Sequence, residues 1–104
     1  MLSEFVSWAK EFGAASHQEA ARVTVTIGEA SSNPSARMDI DTADKIGRVT
    51  FWQSGDFYAE ILACDSGEML YSNHGVSVPE KPFAECFQPF LLKLGVSAQI
   101  KQIP

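Results

Sequence analysis

With 104 residues, 45% of them hydrophobic and 11% aromatic, the chain has the size of one folded domain and is too apolar to be disordered. Thirteen acids against eight Lys and Arg leave a net charge of −5, which disfavours direct nucleic-acid binding because a phosphate backbone demands cations. No stretch approaches the roughly 18 consecutive apolar residues of a membrane span, so no membrane partner is expected.

The opening Met1-Leu2-Ser3-Glu4-Phe5 has no basic n-region, and Glu4 and Lys10 interrupt its apolar stretch. It does not read as a signal peptide, and a cytoplasmic protein is expected. The only cysteines, Cys64 and Cys86, fit a reducing compartment as free, packed thiols.

Along the chain, Leu2, Phe5, Val6, Ala9 and Phe12 recur at three- and four-residue spacing. That spacing predicts a helix over 3–14, capped by Ser3 and stopped by Gly13. The stretch 14–21 fits either a loop or a second short helix. From Arg22 the period becomes two: Val23, Val25 and Ile27 alternate with Arg22, Thr24 and Thr26, which predicts a strand ending at Gly28. Residues 29–35 carry turn chemistry, small polar side chains followed by Pro34.

Met38 and Ile40 alternate with Arg37, Asp39 and Asp41, and strands are predicted at 46–53, 56–64 and 69–71. The turns between them, Gln53-Ser54-Gly55-Asp56 and Asp65-Ser66-Gly67, are short, so neighbouring strands must be antiparallel. Ser77-Val78-Pro79-Glu80 predicts the start of a C-terminal helix, with Ser77 as cap and Pro79 in the first turn. Phe83, Phe87, Phe90, Leu91 and Leu94 form its apolar stripe, Pro89 should kink it near Glu85, and Gly95 ends it. The segment 96–103 alternates weakly, leaving edge strand and coil both open.

The fold class is therefore α+β: an antiparallel sheet of about five strands with an N-terminal and a C-terminal helix packed on one face, as a single domain over residues 1–104. The expected core is Phe83, Phe87, Phe90 and Leu94 against Val49, Phe51, Ile61 and Phe5.

The charge is unevenly placed. Asp39, Asp41, Asp44, Asp56, Glu60, Asp65 and Glu68 face only Lys45 and Arg48 within the same segment, an excess of −5 that equals the charge of the whole chain. The seven carboxylates are either a solvated face or a docking surface for a basic partner, since a patch of one sign steers encounter. They are the candidate interface residues.

Catalytic motifs are missing. There is no glycine-rich phosphate loop and no nucleophile elbow, and Asp39, Asp41 and Asp44 lack the Gly and terminal Glu of a calcium loop. His17 and His74 have no metal-ligand spacing around them, so neither metal nor cofactor is expected. Cys64 with His74 is the one conceivable nucleophile–base pair, yet Asp65 beside the thiol would raise its pKa and no cation offsets it. A binding protein is expected, not an enzyme.

Two stretches carry a resemblance. Asn33-Pro34-Ser35-Ala36-Arg37-Met38-Asp39 and Ile46-Gly47-Arg48-Val49-Thr50-Phe51-Trp52-Gln53-Ser54-Gly55, with Glu60 and Ser66-Gly67-Glu68, resemble the TriTu immunity proteins of bacterial polymorphic-toxin and contact-dependent inhibition systems. The similarity extends over roughly residues 3–94, with Trp8 in the first helix and the Phe/Leu-rich helix at the end. It implies a cytoplasmic antitoxin without catalytic residues. Such a protein binds and blocks a cognate basic toxin domain encoded nearby, often a nuclease such as an RNase. An acidic chaperone for a secreted effector, or a small enzyme using Cys64 or His74, are the alternatives that composition permits.

Overall fold

A computed structural model describes residues 1–16 and 21–96. Its elements are α1 (Leu2–Ser16), β1 (Arg22–Ile27), β2 (Ser35–Asp41), β3 (Lys45–Trp52), β4 (Asp56–Ala63), β5 (Met69–Val76), α2 (Phe83–Cys86) and α3 (Gln88–Leu94). The strands form one antiparallel sheet in the order β1-β2-β3-β4-β5, an α+β fold with every neighbour pair consecutive in sequence. Residues 17–20, which include His17 and half of the stretch 14–21, and residues 97–103 lie outside the described residues.

Strand alternation builds the two layers. In β2, β3 and β4 the residues Ala36, Met38, Ile40, Val49, Phe51, Phe57, Ala59 and Ile61 point to one face and are buried. Onto that face pack α1, over β1 to β3, and α3, over β3 and β4. From α1 come Phe5, Ala9 and Phe12, and from the C-terminal helices Phe87, Phe90, Leu91 and Leu94, all buried. Phe5 stacks on Phe51 with ring centroids 4.7 Å apart, and Phe87 meets Phe57 edge-on at 5.0 Å. The expected core is present, with Phe83 at its partly exposed margin.

Several boundaries differ from the sequence expectations, each for a tertiary reason. Gly13 does not stop α1, which runs on to Ser16. A Cβ on Gly13 would lie 3.2 Å from the Val23 side chain, so the glycine permits close approach of α1 to β1. β5 extends to Val76, beyond the predicted Tyr71, although Ser72-Asn73-His74-Gly75 has no apolar alternation. Its residues are held in a ladder by β4, and Gly75 lies under the Phe57 ring, where a Cβ would come within 2.6 Å of Cζ.

Ser77 caps no helix. Its N–H donates to Gly55 O at 2.9 Å, which continues the edge of the sheet, and the helix starts after Pro82 without a side-chain cap. The expected kink is a break: α2 ends at Cys86 and α3 begins at Gln88, so Pro89 occupies a first turn, where no N–H is needed. At the far end Gly95 adopts φ 88°, its N–H bonds Leu92 O, and the Val96 N–H reaches back to Leu91 O at 3.0 Å. This is a Schellman stop, with Val96 and Leu91 both buried.

Candidate functional site

Pleating that buries the odd positions of β3 and β4 turns their even positions outward. Among the described residues no helix covers that second face. Register orders it into rows. One runs Thr24, Asp39, Arg48, Glu60, Ser72. The next runs Thr26, Arg37, Thr50, Tyr58, His74. At one end lie Arg22, Asp41, Ile46, Leu62 and Met69, and at the other Ser35, Trp52, Asp56 and Val76.

Asp39 is largely buried, with its side chain 17% exposed, and is already paired. Arg48 Nε donates to Oδ1 at 2.6 Å and Arg37 Nε to Oδ2 at 3.0 Å. A single carboxylate thus holds two guanidinium groups, and this part of the face is not acidic. Glu60 stands opposite Arg48 on the other side, yet the guanidinium has turned to Asp39. Among the described residues the half-buried Glu60 carboxylate has no ion-pair or side-chain hydrogen-bond partner.

The remaining candidate carboxylates separate by position. Asp41, at the end of β2, lies at one end of the sheet with Asp44, Asp65 and Glu68 on the β2–β3 and β4–β5 turns. The Cys64 N–H donates to Asp44 O at 3.0 Å and ties the turns together. Thr42 shapes the first of them, its Oγ1 accepting from the Lys45 N–H at 3.0 Å, while Lys45 Nζ lies 3.3 Å from the Asp44 carboxylate. A shallow open depression lined by Ala21, Arg22, Asp41, Thr42 and Ala43 borders this end. Asp56 sits at the opposite end, where it accepts from Ser54 Oγ at 2.8 Å.

Two parts of the family resemblance, Asn33-Pro34 and Trp52-Gln53-Ser54-Gly55, meet at that opposite end. The Ser54 N–H donates to Asn33 Oδ1 at 3.1 Å, the Gln53 N–H to Pro34 O at 2.9 Å, and the Gly55 N–H to Trp52 O at 2.8 Å, with Gly55 at φ 98°. Asn33-Pro34 and Ser54-Gly55 therefore lock the β1–β2 loop onto the β3–β4 turn, which sets the register of the central strands. The TriTu immunity protein model matches residues 3–93. The chain belongs to the TriTu immunity protein family. No curated protein matches it.

Membership in this family assigns a toxin-neutralising function and a cognate toxin as partner, and its members are typically not enzymes. Cys64 is exposed on a turn, whereas His74 is paired with Tyr58, six residues back along β4 and so roughly 20 Å away by strand rise. The two do not form a nucleophile–base pair. Cys86 is half-buried, and burial pushes its thiol pKa up, opposed in part by Lys81. Among the described residues no group of His, Cys, Asp and Glu is placed to hold a metal, and no helix is long and apolar enough to cross a membrane.

Sequence reasoning singled out the carboxylates and missed the face they share with Arg37, Tyr58, Ile46, Leu62 and Met69. The signal was there: where 47, 49 and 51 are buried, 46, 48, 50 and 52 must point to the other side.

Proposed function

We propose that residues 1–104 form one immunity-type domain that acts in the bacterial cytoplasm, in a polymorphic-toxin or contact-dependent inhibition system. It binds and blocks a cognate toxin domain encoded nearby, and that toxin is a nuclease such as an RNase. The supporting observation is the segregation of charge. All of the chain's net charge belongs to the segment between Asp39 and Glu68, and four of its carboxylates lie at one end of the sheet, Asp41 at the end of β2 and Asp44, Asp65 and Glu68 on the two tied turns. A nuclease holds phosphate with Lys and Arg. Carboxylates presented to that cleft pair with the same cations, exclude the substrate, and speed the encounter by long-range attraction.

The test is direct. The toxin domain encoded immediately upstream should co-purify with this chain and lose its nuclease activity on binding. Association should slow by about tenfold or more as salt rises from low to half-molar, because the Debye length shrinks from about 30 Å at 0.01 M to a few Å. Neutralising Asp41, Asp44, Asp65 and Glu68 to Asn or Gln should remove most of that salt dependence, whereas neutralising Glu4 and Glu11 on α1 should not. A toxin that binds with a rate indifferent to salt and to these four residues refutes the electrostatic reading.

A further inference from the structure

The open face has the dimensions of an interface. Strand spacing of about 4.8 Å and rise of about 3.3 Å per residue make five strands of six to eight residues a surface roughly 20 by 25 Å. That is on the order of 500 Å² before corrugation, and with the adjoining turns it approaches the ~800 Å² that each partner contributes to a stable complex.

Its composition also suits docking. Ile46 and Met69, 41% and 48% exposed, flank Leu62 in one cross-strand row. Trp52 and Tyr58 are half-buried on the same face, with Tyr58 in edge contact with His74 at 5.6 Å. Trp, Tyr and Arg are the residue types that most often dominate binding energy when an interface closes over them.

At the centre lies an unmatched charge. The register gives Arg48 two flanking carboxylates, and its 2.6 Å bond to Asp39 leaves Glu60 half-buried without a counter-ion among the described residues. Desolvating an unpaired carboxylate is costly, whereas one that gains a cation in the same step is held firmly. A second copy of this chain would bring the same net charge of −5, so self-association is electrostatically opposed. A basic partner is complementary.

We infer that the cognate toxin is gripped on the open face of the sheet. A toxin Lys or Arg pairs with Glu60 there, Tyr58 packs beside it, and Trp52 is an anchor toward the far end of the same face. The acidic turns at the end of the sheet act earlier, drawing the toxin in. This deepens the immunity-protein reading and rests on it. It assigns six of the seven carboxylates different tasks: Glu60 governs dissociation, Asp41 at the end of β2 and the turn residues Asp44, Asp65 and Glu68 govern association, and Asp39 holds Arg37 and Arg48 in place.

Stopped-flow or surface-binding kinetics with the toxin domain encoded immediately upstream separates these roles. Glu60→Gln and Trp52→Ala should each raise the dissociation rate by about thirtyfold, the size of an interface hot spot, while association changes by less than about threefold. Glu60→Lys should raise it further. The Asp41, Asp44, Asp65 and Glu68 neutralisation should do the reverse, slowing association and leaving dissociation nearly unchanged. Glu60 points to solvent in the free protein, so its variants should retain the wild-type unfolding midpoint, which keeps the test clear of misfolding. If wild type binds and inhibits the toxin yet Glu60→Gln, Glu60→Lys and Trp52→Ala all dissociate at the wild-type rate, the open-face assignment is wrong and the immunity reading survives. If wild type does not bind the toxin, both are overturned.

Discussion

Truncating Phe87 to alanine removes the ring that joins all parts of the core. Phe87 is 1% exposed and sits where α2 gives way to α3. Its ring lies 5.0 Å from Phe57, 5.6 Å from Trp8, 6.0 Å from Phe5 and 6.1 Å from Phe83, so sheet, N-terminal helix and C-terminal helices all lose contact at once. Burial transfer and the residual cavity together put a Phe→Ala loss at about 3–5 kcal/mol. The edge-on geometry with Phe5 and Phe57 argues for the upper half of that range, since such pairs add about 0.5–1.5 kcal/mol beyond area. A chain of this length is stable by roughly 5–15 kcal/mol, so the variant should be marginal at 37 °C. Urea unfolding followed by tryptophan fluorescence is the assay, because Trp8 reports on the ring directly. The midpoint should fall steeply at unchanged slope, and Phe87→Leu, which keeps most of the apolar volume, should lose less than half as much. A Phe87→Ala loss below about 1.5 kcal/mol would mean that the helices do not depend on this ring, and the two-layer core would need another keystone.

Gly95→Ala places a Cβ at φ 88° and should destabilise by about 1 kcal/mol through the Schellman stop, although among the described residues nothing lies near enough to clash; a shift of the thermal midpoint below 2 °C would contradict it. Denatured without reductant and shielded from air, the chain should show two free thiols. In the native state Cys86, half-buried and with a raised pKa, should react more slowly than exposed Cys64 at pH 8, and its rate should keep rising with pH as the thiolate forms; equal rates at the two sites would argue against the burial of Cys86.

Much of the fold follows from local chemistry. A strand with one buried face must alternate, so Val23 to Ile27, Met38 to Ile40 and Val49 to Phe51 announce themselves, and glycine-bearing turns too short for a crossover force antiparallel neighbours. The apolar spacing of Phe5, Ala9 and Phe12, the phenylalanine stripe of the C-terminal helices and the stop at Gly95 are equally local, and so is the crowding of acids between Asp39 and Glu68.

Other features depend on what the chain meets across space. Ser72 to Gly75 has no strand pattern of its own and pairs because β4 supplies the ladder; Gly13 lies inside α1 where Val23 packs close; the Ser77 N–H bonds to Gly55 O, and Ser77 caps no helix. The candidate site divides in the same way. Seven carboxylates are visible in the sequence, but their worth depends on cross-strand neighbours. Arg48 lies between Asp39 and Glu60, and no local rule says which one it takes. In the folded sheet Arg48 takes Asp39, which also holds Arg37, and that leaves Glu60 unmatched at the centre of the open face, while the β2–β3 and β4–β5 turns come together at its acidic end.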